Sequence, residues 1–351
     1  MLSQKELLKI RTLLEASQNP LFFFDNDVDG LSSFLQLARF LGRGKGVVIK
    51  SYPGLDEKYV RKISELKCDS IFILDKPIVS PEFLDAAKQL ALPIVWIDHH
   101  GLQDPEFVKD IHYFNPLKSS KPSSEPVSYW CYQVTRKKED EWLALLGCIA
   151  DYYVPAFAKE FAKGNPELLS YSEEPARLLF ESKMGKVIKI LEFSLKDKTS
   201  NVIKMMKFMQ RVSSPHTILN QDGKDAEFIY SRFERINRKY EKLLERAKEA
   251  GREEGSARVL FFSYGGDLSI SANLSNELLY NFPKKLIVVG YLNGVRVNIS
   301  LRDGKLDLRK LLDDVMHDIP GNHGGHEHAC GATVSASDLE KFRERVFDEV
   351  K

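Results

Sequence analysis

Four places in the chain gather side chains able to bind cations. Asp25-Asn26-Asp27-Val28-Asp29-Gly30 sets three carboxylates at alternate positions, Asp75 follows Ile71 to Leu74, Asp98-His99-His100-Gly101 follows Ile94 to Ile97, and Asp151 closes the apolar stretch Leu143 to Ala150. Carboxylates this close repel one another, so their company destabilises the fold unless cations or hydrogen-bond donors neutralise it. Singly, each has an ordinary reading, such as an Asp N-cap ahead of Leu31 or a turn at a strand end. The first cluster opens like a calcium-binding loop, but Gln36 stands where such a loop needs its closing glutamate. Adjacent imidazoles behind a buried strand each need a partner or a metal. Together the acids and imidazoles form a mixed oxygen and nitrogen donor set. It suits a pair of divalent ions, manganese above all and magnesium next, since a zinc preference would call for sulfur. Two such ions clamp the attacking and leaving oxygens of an in-line phosphoryl displacement.

The elements around these residues explain how they meet. Leu21-Phe22-Phe23-Phe24 is a short apolar run meeting the first acidic cluster, as a buried strand running into a loop does. Leu31 to Leu41 has helical spacing and stops at Gly42; strands at Val47 to Lys50, Ser70 to Leu74 and Pro93 to Ile97 then alternate with helices at Glu57 to Leu66 and Pro81 to Leu90. Short apolar strands alternating with helices predict a parallel sheet covered on both faces, with ligands beyond the strands' carboxyl ends. Three of these strands end on Asp25, Asp75 and Asp98. From about 155 to 250 the chain is rich in Lys, Glu and Leu, with a long helix near Phe233 to Gly251. Beyond it, strands at Ala257 to Tyr264, Lys285 to Tyr291 and Val295 to Leu301, with helices at Leu306 to Val315 and Ser337 to Phe347, form a second α/β unit. The expected division is 1–165 for the catalytic domain, 166–253 for a helical connector and 254–351 for a smaller α/β domain, with a cleft between the two domains.

Composition narrows the function. The chain has 351 residues, 43% of them apolar, which favours two domains over one. Lys plus Arg number 51 against 50 Asp plus Glu, so the molecule lacks the strong positive charge of a non-specific duplex binder and any nucleic-acid site is local. Cys68, Cys131, Cys148 and Cys330 form no CxxC pair and read as reduced core residues, not as a zinc ribbon or disulfide framework. The first seventeen residues are an amphipathic helix without the layout of a signal peptide, and no long uncharged apolar run occurs, so the expected location is the cytoplasm, with no membrane partner.

The series DNDVDG, LDKP, IDHHG and GCIAD resembles, in order and spacing, the four motifs of the DHH phosphoesterases, and DVDGLSS is most similar to the RecJ-type single-strand exonucleases. Gly324-Gly325-His326-Glu327-His328-Ala329-Cys330-Gly331 resembles the GGHxxAxG motif of the domain that accompanies DHH nucleases, and Asn298 to Arg302 its phosphate-contacting Ser-x-Arg strand. The two resemblances cover 20–155 and 258–350 and leave the middle third uncovered. They imply that Asp27 and Asp75 hold one ion while Asp29, Asp75, His99 and Asp151 hold the other. Asp75 then bridges the pair, His100 touches the scissile phosphate and Asp98 orients a histidine. Phe23 stands where many members carry a histidine ligand, and Asp25 is the expected replacement. Ser300, Arg302, Gly324, Gly325 and His326 are implied in substrate capture, glycines letting backbone approach a phosphate beside basic donors.

The implied activity is manganese-dependent hydrolysis of single-stranded DNA or RNA from one end. The alternatives are a small-substrate phosphodiesterase acting on nano-RNA, cyclic dinucleotides or phosphoadenosine phosphate, and a non-catalytic replication scaffold. A DHH-type pyrophosphatase would use a different basic motif in its second domain. The OB-fold module of bacterial RecJ proteins is not expected here, so grip on long strands falls to the cleft and connector. A replication or repair protein is a further expected partner.

Overall fold

The protein is described by a computed structural model covering residues 1–51, 54–253, 255 and 257–350. It divides into two compact units, Met1–Phe233 and Glu234–Lys351.

The first unit begins with α1 (Gln4–Ala16), closed at its start by a capping box between Ser3 and Glu6. Then follow β1 (Pro20–Asp25), α2 (Val28–Leu41), β2 (Lys45–Ile49), α3 (Val60–Leu66), β3 (Ser70–Leu74), α4 (Pro81–Lys88), β4 (Ile94–Ile97), the short α5 (Pro105–Val108) and β5 (His112–Phe114). The five strands form one parallel sheet in the order β2-β1-β3-β4-β5. In a sheet of this order the strand sequence reverses between β1 and β3, and the crevice at their carboxyl ends is the place for a ligand. Asp25 and Asp75 stand there.

Both faces of the sheet are covered, as the unbroken apolar runs require. Phe23, Ile71, Ile73 and Trp96 pack with Ile63 and Phe83 on one side. On the other, Phe22 and Phe24 meet the ring of Phe34 on α2. Phe22, Phe23, Phe24, Phe34 and Phe72 are all buried, each contributing roughly 1.5–3 kcal/mol. Phe23 lies edge-on against Phe83 and Tyr59, so the side chain at the departure from the family motif is a core residue.

Behind the sheet come α6 (Val127–Thr135), α7 (Glu141–Ala150), α8 (Ala158–Gly164), α9 (Pro175–Glu181), α10 (Lys183–Leu195), α11 (Thr199–Met209) and α12 (Pro215–Leu219). The helices after residue 165 belong to this first unit. Arg39 on α2 reaches the carbonyls of Met209 and Val212 while pairing with Asp140, and Arg232 pairs with Asp197 at 2.6 Å. The chain passes into the second unit along α13 (Lys224–Glu253), which starts nine residues before the expected Phe233.

The second unit holds β6 (Val259–Gly265), α14 (Ser271–Asn281), β7 (Leu286–Asn293), β8 (Arg296–Arg302), α15 (Leu308–Met316), β9 (Gly321–His326), β10 (Ala329–Ser335) and α16 (Leu339–Glu349). Its sheet runs β6-β7-β8-β10-β9, antiparallel except between β6 and β7. Val297, Ile299, Leu301, Cys330, Ala332 and Val334 point into a core with Leu312 and Phe342, which sends the alternate residues of β8 and β10 to the other face. The α/β class with a parallel sheet is as the sequence predicts. The helices α6 and α14 and the strands β5, β9 and β10 were not anticipated. No helix among the described residues is long and apolar enough to cross a membrane.

Candidate metal centre

The first acidic cluster is the junction of β1 and α2. Asp27 caps α2, its Oδ1 accepting from the Gly30 N–H at 2.9 Å. A Cβ on Gly30 would sit 2.7 Å from the Asp25 carbonyl oxygen, so glycine is what lets the helix begin directly on the strand's end. Asp29, one turn in, is buried and accepts the Val127 and Ser128 N–H groups at 2.8 and 2.9 Å. It caps α6, whose own N-cap residue, Pro126, supplies no side-chain cap. Gly147 of α7 permits the approach, since a Cβ there would lie 2.3 Å from Ser128 Oγ and 3.0 Å from Asp29 Oδ1.

Asp75 leaves β3 with φ of 57°, a left-handed conformation that costs a non-glycine residue of order 1 kcal/mol and marks a site that holds it. Its N–H is fixed to the Ile97 carbonyl at 2.9 Å, and its buried Oδ1 has no hydrogen-bond partner among the described residues. That oxygen lies 3.4 Å from His99 Nε2 and 3.9 Å from His100 Nδ1. His99 Nδ1 is 3.2 Å from the Ser124 carbonyl, which can only accept, so Nδ1 carries a proton and Nε2 is the ring atom turned to the acids. It faces Asp75 and, at 3.6 Å, Asp151 Oδ2. Asp98, fully buried behind the pair, holds His100 Nδ1 at 2.8 Å.

Ligand atoms therefore converge in two sets, Asp75 with His99 and His100, and Asp29 with His99 and Asp151. His99 is common to both. Asp25 and Asp27 belong to neither set: Asp25 Oδ1 instead accepts from Asn26 N–H and from Lys76 Nζ, each at 2.8 Å. Lys76 was not singled out from the sequence, although it sits in the LDKP motif beside Asp75.

The electrostatics say what is missing. Desolvation, then the charges of Asp25 and Asp29, push Asp27 up to about 7, even though it opens to solvent at the pocket mouth. Desolvation and Asp29 push Asp151 up to about 8, and Asp75 is raised well above the ordinary carboxylate range by burial and then by Asp29 and Asp27. Burial works against a charged His100, but its hydrogen bond to Asp98 and that group's charge outweigh it and raise the imidazole. A pocket that drives its own acids towards protonation, and brings an imidazole nitrogen together with carboxylate oxygens, fits divalent cations at that point.

In the second unit the cross-strand register aligns the remaining candidates. Arg302, Ala329 and His326 lie in one row across β8, β10 and β9, and Ser300, Gly331 and Gly324 in the next row on the same face. Small residues on β10 thus floor a shallow trough about 10 Å wide, two strand spacings, between Arg302 and Ser300 on one side and exposed His326 on the other. Arg302 Nε is held by Asn276 Oδ1 at 2.6 Å, and Ser300 Oγ by Ser271 Oγ at 3.0 Å. Gly325, with φ of 139°, could not carry a side chain, because a Cβ would meet the Ala329 carbonyl oxygen at 2.5 Å. The GGH segment is a strand at the sheet edge.

Comparison with known proteins agrees with this layout. A family model described as DHH family, N-terminal domain, matches residues 21–152, and one described as DHHA1 domain matches residues 255–351. The single-stranded-DNA-specific exonuclease RecJ of Bacillus subtilis (strain 168) is 20% identical over 96% of this chain. RecJ from Thermus thermophilus in complex with Mn2+ matches 99% of the chain at a TM-score of 0.69 and 15% identity. The chain spans 46% of the Bacillus protein and 55% of the Thermus one. A structure of exonuclease RecJ bound to manganese is matched over 99% of this chain and 95% of its own, at a TM-score of 0.65 and 16% identity. The chain thus carries a DHH family N-terminal domain over residues 21–152, which holds the strand-end acids and paired histidines, followed by a DHHA1 domain over residues 255–351, which holds the GGH unit.

Proposed function

We propose that the protein is a metal-dependent phosphodiesterase that removes nucleotides from one end of single-stranded nucleic acid, with manganese as the preferred ion. The observation that carries this reading is the convergence of His99 Nε2 with Asp75 Oδ1, which has no hydrogen-bond partner among the described residues, at 3.4 Å and with Asp151 Oδ2 at 3.6 Å, a donor set that a divalent cation would satisfy. Asp29, Asp75, His99 and Asp151 hold one ion, and Asp27 with Asp75 the other. A pair of divalent ions held by these residues would supply Lewis-acid polarisation of a phosphoryl oxygen and a water of lowered pKa, in place of a separate general base. His100, its imidazole raised by the hydrogen bond and charge of Asp98, donates to a non-bridging phosphate oxygen. The trough of Ser300, Gly324, Gly325, His326 and Arg302 receives the terminal nucleotide or its phosphate. Single-stranded DNA or RNA is the partner, and a replication or repair protein is the candidate to dock on the helices after residue 165.

The test uses the full chain with Mn2+ and end-labelled DNA and RNA of two, five and about thirty nucleotides. Stepwise shortening of the long strand from one end is expected. Asp75→Asn should lower turnover by roughly three orders of magnitude or more, about 4 kcal/mol in barrier. Cleavage of only the two shortest lengths would move the reading to a small-substrate phosphodiesterase. Inertness on all of them would replace it with a scaffold.

A further inference from the structure

Lys76 directly follows Asp75, and the left-handed turn at Asp75 accompanies a divergence of the two side chains. Asp75 faces the histidines, while Lys76 Nζ meets Asp25 Oδ1 at 2.8 Å. The lysine is 5% exposed, and its backbone is pinned by Trp96 Nε1, which donates to the Lys76 carbonyl at 3.1 Å. Asp25 is therefore committed, because turning it towards a metal would strand a buried ammonium without its counter-ion. The consequence is unequal support for the two ion positions. In the assignment proposed above, one would have Asp29, Asp75, His99 and Asp151, whose ligand atoms fall within the two converging sets; the other would have Asp75 and Asp27, which joins neither set and whose Oδ1 already caps Gly30, with no imidazole at Phe23.

We propose that Lys76 is a built-in cation that takes Asp25 out of metal ligation, so that this chain binds one divalent ion tightly and a second only weakly. The inference rests on the metal-dependent reading above and goes beyond it by removing Asp25 from the ligand set. Lys76 is a positioning residue: it acts on the metal centre through Asp25.

The test is the binding of Mn2+ to the full chain without substrate, followed by calorimetry and by the electron paramagnetic resonance of free Mn2+. Wild-type protein should take up one equivalent at least about tenfold more tightly than the second, a gap of about 1.4 kcal/mol. Lys76→Met should tighten the second equivalent about tenfold by releasing Asp25, and Lys76→Arg should keep the wild-type pattern. Asp25→Asn should reverse the gain in the Lys76→Met background, a coupling that a merely structural lysine would not produce. Two equal equivalents in the wild type overturn the inference, as does a gain in Lys76→Met that survives Asp25→Asn. Should Lys76→Met not fold, the affinity gap of the wild type decides by itself. Failure to take up any Mn2+ overturns the metal-dependent reading together with this one, whereas two equal sites overturn only this one.

Discussion

Gly147 is the residue on which the packing of the metal centre can be tested without touching a ligand. It sits in α7, four residues before Asp151, against the start of α6. A methyl group there would lie 2.3 Å from Ser128 Oγ, 2.6 Å from Ser128 Cβ and 3.0 Å from Asp29 Oδ1. The hydroxyl can rotate away, but the Cβ cannot, so α7 has to retreat by about 1 Å to restore a carbon contact of roughly 3.5–4 Å. Helix propensity favours Ala over Gly by about 0.8–1 kcal/mol, overpacking costs about 1–3 kcal/mol, and strained charge-assisted bonds from Val127 and Ser128 to Asp29 add part of their roughly 1.5–3 kcal/mol. Gly147→Ala is therefore expected to destabilise the first unit by about 2 kcal/mol. Mn2+ affinity should fall about tenfold or more, because Asp29 and Asp151 both ride on the displaced contact. All three tryptophans, Trp96, Trp130 and Trp142, lie in the first unit, so urea unfolding followed by their fluorescence reports it selectively. Gly164→Ala in α8, where a Cβ meets nothing within 4 Å, supplies the control and should be neutral or stabilising. Wild-type stability and unchanged Mn2+ affinity in Gly147→Ala would refute the account of how α6, α7 and Asp29 fit together.

Two further outcomes follow from the charges and the register. Asp27 and Asp151, raised from 3.8 to about 7 and about 8, bind more protons folded than unfolded across that interval, so metal-free stability should fall as pH rises from about 4 to 8. Mn2+ should therefore raise the melting temperature more at pH 8 than at pH 5.5, and a flat pH dependence in chelator would contradict the shifts. His326→Ala should leave Mn2+ uptake intact while weakening a dinucleotide by about 1.5–3 kcal/mol, roughly ten- to hundredfold, and long strands less. Unchanged dinucleotide affinity, or lost metal binding, would remove the DHHA1 trough from substrate capture.

The strand-end acids were readable because their position is encoded locally. In a parallel sheet buried on both faces, the apolar run itself marks the strand, and the first acid after it marks the carboxyl edge: Phe24 then Asp25, Leu74 then Asp75, Ile97 then Asp98. What escaped is encoded at a distance. The start of α6 has no local cap, and its first N–H groups are satisfied by Asp29, 98 residues earlier. β9 consists of Gly321-Asn322-His323-Gly324-Gly325-His326, residues with little strand preference of their own, and is held by pairing with β10. Lys76 carries no local signal, because its partner Asp25 lies 51 residues earlier. These non-local dependencies run through the same side chains as the chemistry. Asp29 both terminates a helix and offers a metal ligand, so the fold holds this carboxylate in place through two backbone donors before any cation arrives. An acid fixed in that way is preorganised, and ordering it then takes nothing from the free energy of metal binding. Asp27 and Asp151, exposed and raised towards neutrality, are the acids whose deprotonation would have to accompany metal binding if they are ligands as proposed.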